Sequence, residues 1–330
     1  MTAFELLLVV SSSIGELYAT RVYPHISAVL SRIASPFRVS LQIFVIAAIV
    51  LSFIAIIIAG CRKKRGPIRV ILYEVALLTG VFIWAYSGWC LNYARLSLVE
   101  RVGADCVQFD SLVFRNFLNA FTEEANESYV SVESIDGGKV EMSVKHFYKT
   151  VPSQYGLCRP KEWQHVKPMP FSGIMSSMGV LGYIGPFFDE VHLNKGLLPL
   201  DYPFDCAHEF SHLLGVSSEA EANWWAFHCC RSSSDSAIRY SAYLNMLPHV
   251  LSNAAHLLPE EEFRIWAGSI RPEIMEDYKA HFEYWSTKKV KILYDVQGWV
   301  YDLFLRGNGI PSGIKNYSEV VGMLVGVEYK

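Results

Sequence analysis

The chain is poor in charge. Only 18% of its 330 residues are Asp, Glu, Lys or Arg, whereas an average globular chain holds about 25%. Combined with 52% hydrophobic residues, this composition excludes a disordered chain, which needs low hydrophobicity and high net charge. Seven cysteines are too sparse for a small fold held by disulfides. A net charge of −3 lacks the basic excess of a nucleic-acid-binding protein, so we expect no nucleic-acid partner.

The apolar residues are concentrated at the front of the chain. An uncharged run of mostly aliphatic residues covers 39–61, and crossing a bilayer takes about 20 such residues. A second span is predicted at 70–94, where residues 75–94 hold no charge. This second run includes Trp84 and Trp89, an aromatic type that favours the membrane–water interface. Both runs therefore predict transmembrane helices.

A third apolar segment, at 4–20, is shorter and is bracketed by Glu5 and Glu16. It lacks the basic start and small-residue cleavage site of a signal peptide, so it is either a short first span or an interfacial helix. Residues 1–94 thus predict a multi-pass membrane anchor of two or three α-helices, with the lipid bilayer as partner. The two uncharged runs hold no ionisable residue, which argues against a transporter or channel.

Basic residues set the expected orientation, since cytoplasmic loops carry an excess of Lys and Arg. Residues 62–69, between the two strong spans, read RKKRGPIR. This compact cluster predicts that the loop is cytoplasmic and that residues 95–330 lie outside the cytoplasm. A cytoplasmic C-terminal domain stays open as the alternative, because residues 21–38 also include three arginines.

Residues 95–330 have ordinary soluble-domain patterning and predict a mostly helical fold. Asp136-Gly137-Gly138, between two alternating stretches, predicts a small hairpin. The Gly/Pro-rich stretch 173–188 predicts a buried or membrane-dipping loop, followed by a short strand at Glu190–Asn194. Helical patterns run over residues 110–127, 238–257, 272–285 and 289–305.

The chemistry-bearing motif lies at residues 208–215, which read HEFSHLLG. On a helix His208 and His212 lie one turn and about 40° apart, so both imidazoles can reach one ion. Glu209 projects about 100° away and lies beside the ion. This is the HExxH arrangement in which two histidines bind zinc and the glutamate acts as general base.

A catalytic zinc site needs a third protein ligand and an open fourth position. Gly215 can end the motif helix, and the next helix opens with SEAEANWWAFH. Its Glu219 face carries small alanines that allow close approach, so Glu219 is the predicted third ligand and Glu221 the alternative. Asn223, one turn after Glu219, is predicted to hydrogen-bond a ligating histidine and fix its orientation.

A glutamate ligand in Glu219-Ala-Glu-Ala222-Asn223, combined with HExxH, resembles the gluzincin branch of zinc metallopeptidases. More closely, the whole chain resembles a bacterial membrane family catalogued as domain of unknown function 3810. The matching motifs are Gly182-Tyr183, Pro186-Phe187, Glu190, Asn194, HEFSHLLGVSSEAEAN, Arg239-Tyr240-Ser241, Tyr301-Asp302 and Asn316-Tyr317-Ser318. The resemblance implies a membrane anchor in the bacterial cytoplasmic membrane, followed by a mostly α, α+β zincin-like domain.

The zincin resemblance also implies two further roles. Residues Val191 to Asn194, in the strand before the motif helix, are expected to align the substrate backbone; a core or edge strand without that role is the alternative. Tyr240 is a candidate hydrogen-bond donor to the oxyanion of a tetrahedral intermediate; a buried structural tyrosine is the alternative reading.

Two functions follow from these residues. The first is a membrane-anchored metalloendopeptidase that uses Zn²⁺ and Glu209 to hydrolyse a peptide or protein substrate. The second is a non-catalytic membrane sensor or scaffold of zincin fold. The intact HExxH favours the first, because a scaffold has no need of Glu209.

Overall fold

The computed structural model describes residues 12–64, 66–103 and 110–328. Helix α1 (Ser12–Leu17) continues through a π-helical turn into α2 (Tyr23–Ala34). This segment packs on the large domain, since the Tyr23 side chain is fully buried and its hydroxyl donates to the Leu213 carbonyl at 2.8 Å. The predicted first membrane segment falls partly outside the described residues, and its described part lies within this packed segment.

Helices α3 (Gln42–Arg62) and α4 (Pro67–Gly88) are long and apolar enough to cross a membrane. They pack against each other, and only 6% of the most apolar stretch of each is buried inside the protein. We call them the apolar helix pair. Helix α3 matches its predicted span closely. Helix α4 begins at Pro67, slightly earlier than predicted. It also ends earlier, at Gly88, because the backbone then tightens into a 3₁₀ turn at Cys90–Ala94.

The absence of Asp, Glu, Lys and Arg holds for the uncharged run at 75–94 and not for the whole second span. Glu74, which lies within the predicted span at 70–94 and within helix α4, is buried. Neither of its carboxylate oxygens has a hydrogen-bond partner among the described residues. A buried carboxyl group in an apolar helix removes the sequence argument against a transport role.

The large domain is mostly helical, and the predicted helical patterns are confirmed. Its helices are α5 (Leu98–Arg101), α6 (Ser111–Ser128), α7 (Gly137–Thr150), α8 (Ser172–Ser177), α9 (Tyr202–Leu213), α10 (Glu219–Arg231), α11 (Ser236–Leu257), α12 (Glu260–Ala267), α13 (Pro272–Lys288), α14 (Lys291–Gly307) and α15 (Val320–Glu328). The stretch 173–188 contains most of α8 and a short strand, and so is more regular than the loop that was predicted.

The predicted hairpin at Asp136-Gly137-Gly138 is wrong. The Asp136 carboxylate accepts from the backbone N–H groups of Gly138 and Lys139, at 2.9 and 3.2 Å, and so caps the start of α7. Aspartate is favoured at this position because it satisfies N–H groups that have no partner within the helix. The second of the two alternating stretches instead belongs to α7, whose buried face includes Val140 and Val144, one turn apart.

A three-stranded sheet lies beside the motif helix, in the order β1 (Val166–Pro168), β3 (Glu190–Leu193), β2 (Gly182–Gly185). Strand β1 is parallel to β3, and β2 is antiparallel to it, with Tyr183 opposite His192. The strand predicted at Glu190–Asn194 is therefore confirmed as β3. It is the central strand, buried along its length.

The motif helix α9 lies in the core of the domain, packed between α7, α10 and the sheet. Every residue from Cys206 to Leu213 is buried. The domain also contacts the apolar helix pair directly: the Glu190 carboxylate accepts from the backbone N–H groups of Leu41 and Gln42, at 3.0 and 3.1 Å. Trp89, the first residue after α4, donates its indole N–H to the His212 carbonyl at 2.9 Å.

Candidate metal centre

Three ligand-type side chains converge beside α9. The Nε2 atoms of His208 and His212 are 3.0 Å apart, and Glu219 Oε2 lies 3.1 Å from the first and 3.5 Å from the second. All three residues are buried. A tetrahedral ion with bonds of about 2.1 Å separates its ligand atoms by about 3.4 Å. The three atoms therefore have the spacing of a set that could hold one metal ion.

The tight connection between α9 and α10 brings Glu219 to the histidines. Gly215 has a φ of +96°, in the left-handed region that glycine adopts without steric cost. The chain then turns so that the Val216 N–H donates to the Ser211 carbonyl at 3.1 Å. Ser218 caps α10 by accepting from the Glu221 N–H, and Glu219 is the first residue of the helix. The third ligand thus starts the helix that follows the motif.

Hydrogen bonds fix both imidazoles with Nε2 towards the cluster. His208 Nδ1 lies 2.8 Å from the Asn223 amide oxygen, and His212 Nδ1 lies 2.8 Å from the Val216 carbonyl oxygen. Because both acceptors are oxygens, each Nδ1 carries a proton, and Nε2 is the ring nitrogen that each histidine directs to the cluster. Such outer hydrogen bonds orient ligating histidines in metal sites. Asn223 makes the contact that the sequence suggested.

The structure separates the two glutamates of α10. Glu221 points away from the histidines and forms a buried ion pair with Arg101; it also accepts from the Trp225 indole at 3.0 Å. Glu219 instead lies beside His208 and His212. Burial alone raises its pKa, but the two neighbouring imidazoles outweigh burial and hold the pKa of Glu219 well below its usual value. Of the two candidates, only Glu219 lies with the histidines.

Glu209 lies beside the cluster and is not part of it. Its side chain is buried, and its Oε2 has no hydrogen-bond partner among the described residues. A Cβ on Gly182 would lie 2.5 Å from Glu209 Oε1, so the strand backbone approaches the carboxylate as closely as only glycine allows. Burial raises the pKa of Glu209 to about 7, against the lowering effect of the two histidines. A carboxyl group with a pKa near 7 suits proton transfer at neutral pH.

These residues open onto a cavity of about 810 Å³. This volume lies within the range of about 300–1,000 Å³ that small-molecule and cofactor sites occupy. The walls come from the turn after α4, strand β2, and helices α9, α11 and α14. Most of the lining is apolar, and the polar groups of the candidate metal centre lie on one side. The cavity thus joins a metal-type ligand set to space for a substrate.

Strand β2 presents an open edge to this cavity. The Asn194 N–H donates to the Leu181 carbonyl at 2.8 Å, so residues 181, 183 and 185 pair with β3. In an antiparallel pair the alternate residues direct their N–H and C=O groups away from the partner strand. Gly182 and Ile184 therefore direct these groups to the open edge, and both line the cavity. No other strand pairs with this edge among residues 12–64, 66–103 and 110–328.

Val191 and Asn194 do not have the position expected of substrate-aligning residues. Strand β3 is paired on both edges, and the Val191 side chain is buried in the main core. The Asn194 amide donates to Ser176 Oγ and to the Val180 carbonyl, both at 2.9 Å, and so fixes the preceding loop. The neighbouring strand β2, and not β3, has the free edge.

Tyr240 is not brought to the candidate metal centre. Its ring is fully buried against Tyr129, and its hydroxyl donates to Asp277 Oδ2 at 2.7 Å. It is absent from the cavity lining. The assignment of Tyr240 as an oxyanion donor is therefore corrected to the alternative, a buried structural tyrosine.

Several polar residues of the cavity were not predicted from the sequence, among them Tyr301, His249 and Asp205. The Tyr301 hydroxyl, on α14, donates to Glu219 Oε1. His249, on α11, lines the cavity, and burial together with the charge of His208 lowers its pKa to about 4, which keeps the imidazole neutral. Asp205 precedes Glu209 by one turn on α9, a spacing visible in the sequence. Tyr301 stands in a family-like motif that indicates no role, and His249 carries no local signal, because only packing brings their helices to α9.

Fold and site together define a class: a mostly helical domain that carries an HExxH candidate metal centre and adjoins an apolar helix pair. The model of a protein family of unknown function, DUF3810, matches residues 18–325 of this chain. The chain belongs to this family, as the sequence motifs predicted. No curated protein and no solved structure matches the chain.

Proposed function

We propose that this protein is a membrane-anchored zinc metallopeptidase of gluzincin type. One observation carries the proposal: two imidazole nitrogens and a carboxylate oxygen converge at metal-ligand spacing, and the unpaired Glu209 carboxylate lies beside them at the edge of a cavity. A structural histidine pair would not need a buried acid without a partner. That combination of groups is the one that metal-assisted hydrolysis requires.

The donor set favours zinc. Two imidazoles and one carboxylate, on His208, His212 and Glu219, form the His₂Glu set found in catalytic zinc sites. Magnesium and calcium prefer oxygen ligands only. When bound, zinc lowers the pKa of a coordinated water to about 7 and polarises a carbonyl group.

The protein's own residues supply the remaining steps. Glu209 accepts a proton from the attacking water and later delivers it to the leaving amine, so that one peptide bond and one water become a carboxylate and an amine. The open edge of β2, at Gly182 and Ile184, pairs with an extended substrate backbone. Tyr301 holds the second oxygen of Glu219, and Asn223 holds His208, which keeps the ligands in place.

Metal analysis and proteolysis test the proposal together. We expect the full chain, purified in nanodiscs without chelator, to contain about one zinc per molecule and to cleave unfolded casein. Removal of the metal with phenanthroline should abolish cleavage, and stoichiometric zinc should restore it. Zinc-loaded, folded protein that cleaves no peptide bond would instead support the sensor or scaffold function, and protein purified without zinc would contradict the assignment of the metal.

We also propose that the large domain lies outside the cytoplasm. The domain-side ends of the apolar helix pair, Gln42 and Gly88, both contact the domain, through Glu190 and Pro186 respectively. The basic residues Arg62, Lys63, Lys64 and Arg69 therefore lie at the opposite end of the pair, where the positive-inside rule favours the cytoplasm.

Cysteine labelling tests this topology. Cys61 is exposed at the far end of α3, whereas the other described cysteines are buried or half-buried. In a Cys106→Ser background, we expect a membrane-impermeant maleimide to label Cys61 only after spheroplasts are permeabilised. Adding Cys61→Ser is the control and should remove the signal. Labelling of Cys61 in intact spheroplasts would place the large domain in the cytoplasm.

A further inference from the structure

Helix α14 (Lys291–Gly307) has three distinct faces. At 100° per residue, one face carries Tyr294, Gln297 and Tyr301 and lines the cavity. A second face carries the charged residues of the helix. The third face is apolar and points away from the protein; its large members are Ile292, Val296, Trp299, Val300 and Leu303. We call this third face the outer face of α14.

The outer face is too apolar and too exposed to be a water-facing surface. The side chains of Ile292 and Trp299 are 70% and 65% exposed, and that of Val296 is 55% exposed. Helix α8 extends the same surface: the Val290 N–H donates to the Ser177 carbonyl at 2.9 Å, and Ile174 is 58% exposed. Contiguous exposed apolar surface of this kind marks an interaction site for a protein or a membrane.

The outer face adjoins the apolar helix pair. Asn308, directly after α14, accepts from the Tyr86 hydroxyl in the last turn of α4, with 2.6 Å between the oxygens. Phe304 packs edge-to-face on Tyr93, with 5.6 Å between ring centroids. The end of α14 is therefore level with the last turn of a helix that can cross a bilayer. A bilayer surface at the end of α4 would therefore also reach α14.

The candidate metal centre is also close to that level. Trp89 follows α4 directly, and its indole both donates to the His212 carbonyl and lies 6.0 Å from the His212 ring, centroid to centroid. The Trp84 indole, one turn back inside α4, donates to the Phe187 carbonyl in the β2–β3 turn at 3.1 Å. The cavity, through Trp89, and strand β2, through the turn that follows it, are thus both attached to the end of α4.

We infer that the outer face of α14 lies in the bilayer interface, so that the cavity opens at the membrane surface and the substrate is a polypeptide segment held there by its own membrane anchor. This inference rests on the proposed peptidase function and names its substrate class. A helix is about 10 Å in diameter, so one helix separates lipid on the outer face from substrate on the cavity face. A substrate anchored in the same membrane has a higher local concentration at such a site than a free peptide has.

Lipid contact is tested by tryptophan quenching. The full chain is placed in nanodiscs of phosphatidylethanolamine and phosphatidylglycerol, and the spectrum of Trp299→Phe is subtracted from that of the parent. We expect lipids with brominated acyl chains to quench the Trp299 emission and aqueous iodide to leave it unquenched. Quenching by iodide alone would overturn the inference. Protection from both quenchers, together with a dimer in each nanodisc, would show that a second copy covers the face and would also overturn it.

The substrate class is tested by comparing one peptide in two forms. A sequence that the protein cleaves in casein is synthesised free and with an N-terminal palmitoyl chain, the latter incorporated in vesicles with the full-length protein. We expect at least about tenfold higher kcat/KM for the anchored form. The double variant Trp299→Ser, Leu303→Ser should lose this preference and still cleave the free peptide like the parent. The matched control, Ile265→Ser with Met142→Ser, alters apolar residues on α12 and α7 that are at least as exposed, and it should keep the preference.

The outcomes separate the two proposals. No cleavage of either form by zinc-loaded protein would overturn the peptidase function itself. Equal cleavage of both forms by the parent would overturn only the inference about the membrane surface. An unchanged preference in the Trp299→Ser, Leu303→Ser variant would show that the outer face of α14 does not present anchored substrate, and would overturn the inference as well.

Discussion

Glu209→Gln is expected to lower kcat for peptide hydrolysis by about 10²–10⁴-fold, the usual contribution of a positioned general base, while zinc content stays at the level of the parent. The amide has the shape of the carboxylate and cannot take a proton from water. The metal-type ligands are unaffected, since Glu209 makes no hydrogen bond to His208, His212 or Glu219. Steady-state kinetics on casein peptides and zinc analysis of the same samples give both quantities.

Two controls make this result specific. Glu209→Asp keeps a carboxylate but withdraws it by one methylene, so we expect activity between that of the parent and that of Glu209→Gln. Thermal unfolding of all three proteins shows whether the buried substitution has changed stability. Full activity in zinc-loaded Glu209→Gln would mean that another group, such as the buried Asp205 on the same helix, accepts the proton.

Replacing Glu219 is expected to weaken zinc binding, whereas replacing Glu221 is expected to lower the stability of the fold. Loss of an outer hydrogen bond to a metal ligand costs about 10–100-fold in metal affinity, so loss of the ligand itself in Glu219→Ala should cost more than about 100-fold. Glu221→Ala leaves Arg101, only 3% exposed, without its partner. Breaking a buried ion pair costs about 3–5 kcal/mol, so this variant should be less stable and still bind zinc.

Zinc stoichiometry and the thermal midpoint of unfolding, measured on the same preparations, distinguish the two residues. Glu219→Gln adds a variant of matched shape, which should bind zinc weakly. Without metal it should unfold below the parent temperature, because the amide loses the charge interaction with the two imidazoles that lowers the pKa of Glu219. The assignment of the third ligand would have to be reversed if Glu221→Ala lost zinc and Glu219→Ala retained it.

Prediction from the sequence succeeded where the signal is local. The HExxH spacing depends only on helix geometry, and the Ser218 cap and Gly215 turn are encoded within five residues of each other. The long uncharged run of α3 is local in the same sense. A short alternating pattern is weaker evidence: around Asp136 it fits both a hairpin and a capped helix, and the cap decides between them.

Two tyrosines show what such local evidence leaves out. Tyr240 and Tyr301 both lie on helices predicted from the sequence, and both were noted in family-like motifs. Helix α11 directs Tyr240 towards Asp277, whereas α14 directs Tyr301 towards Glu219. Neither the periodicity nor the composition of a helix states which of its faces meets which neighbour.

The sequence alone determined the apolar helix pair, the helical character of the large domain, the family, and the two histidines with their adjacent glutamate. Each depends on composition or on contacts within one or two helical turns. The sequence favoured Glu219 over Glu221 and kept both as candidates. Only the tertiary structure paired Glu221 with Arg101, gave the open edge to β2, and placed the cavity beside the last turn of α4. These features depend on contacts between residues far apart in the chain, such as Trp89 with His212, which form only when the helices pack.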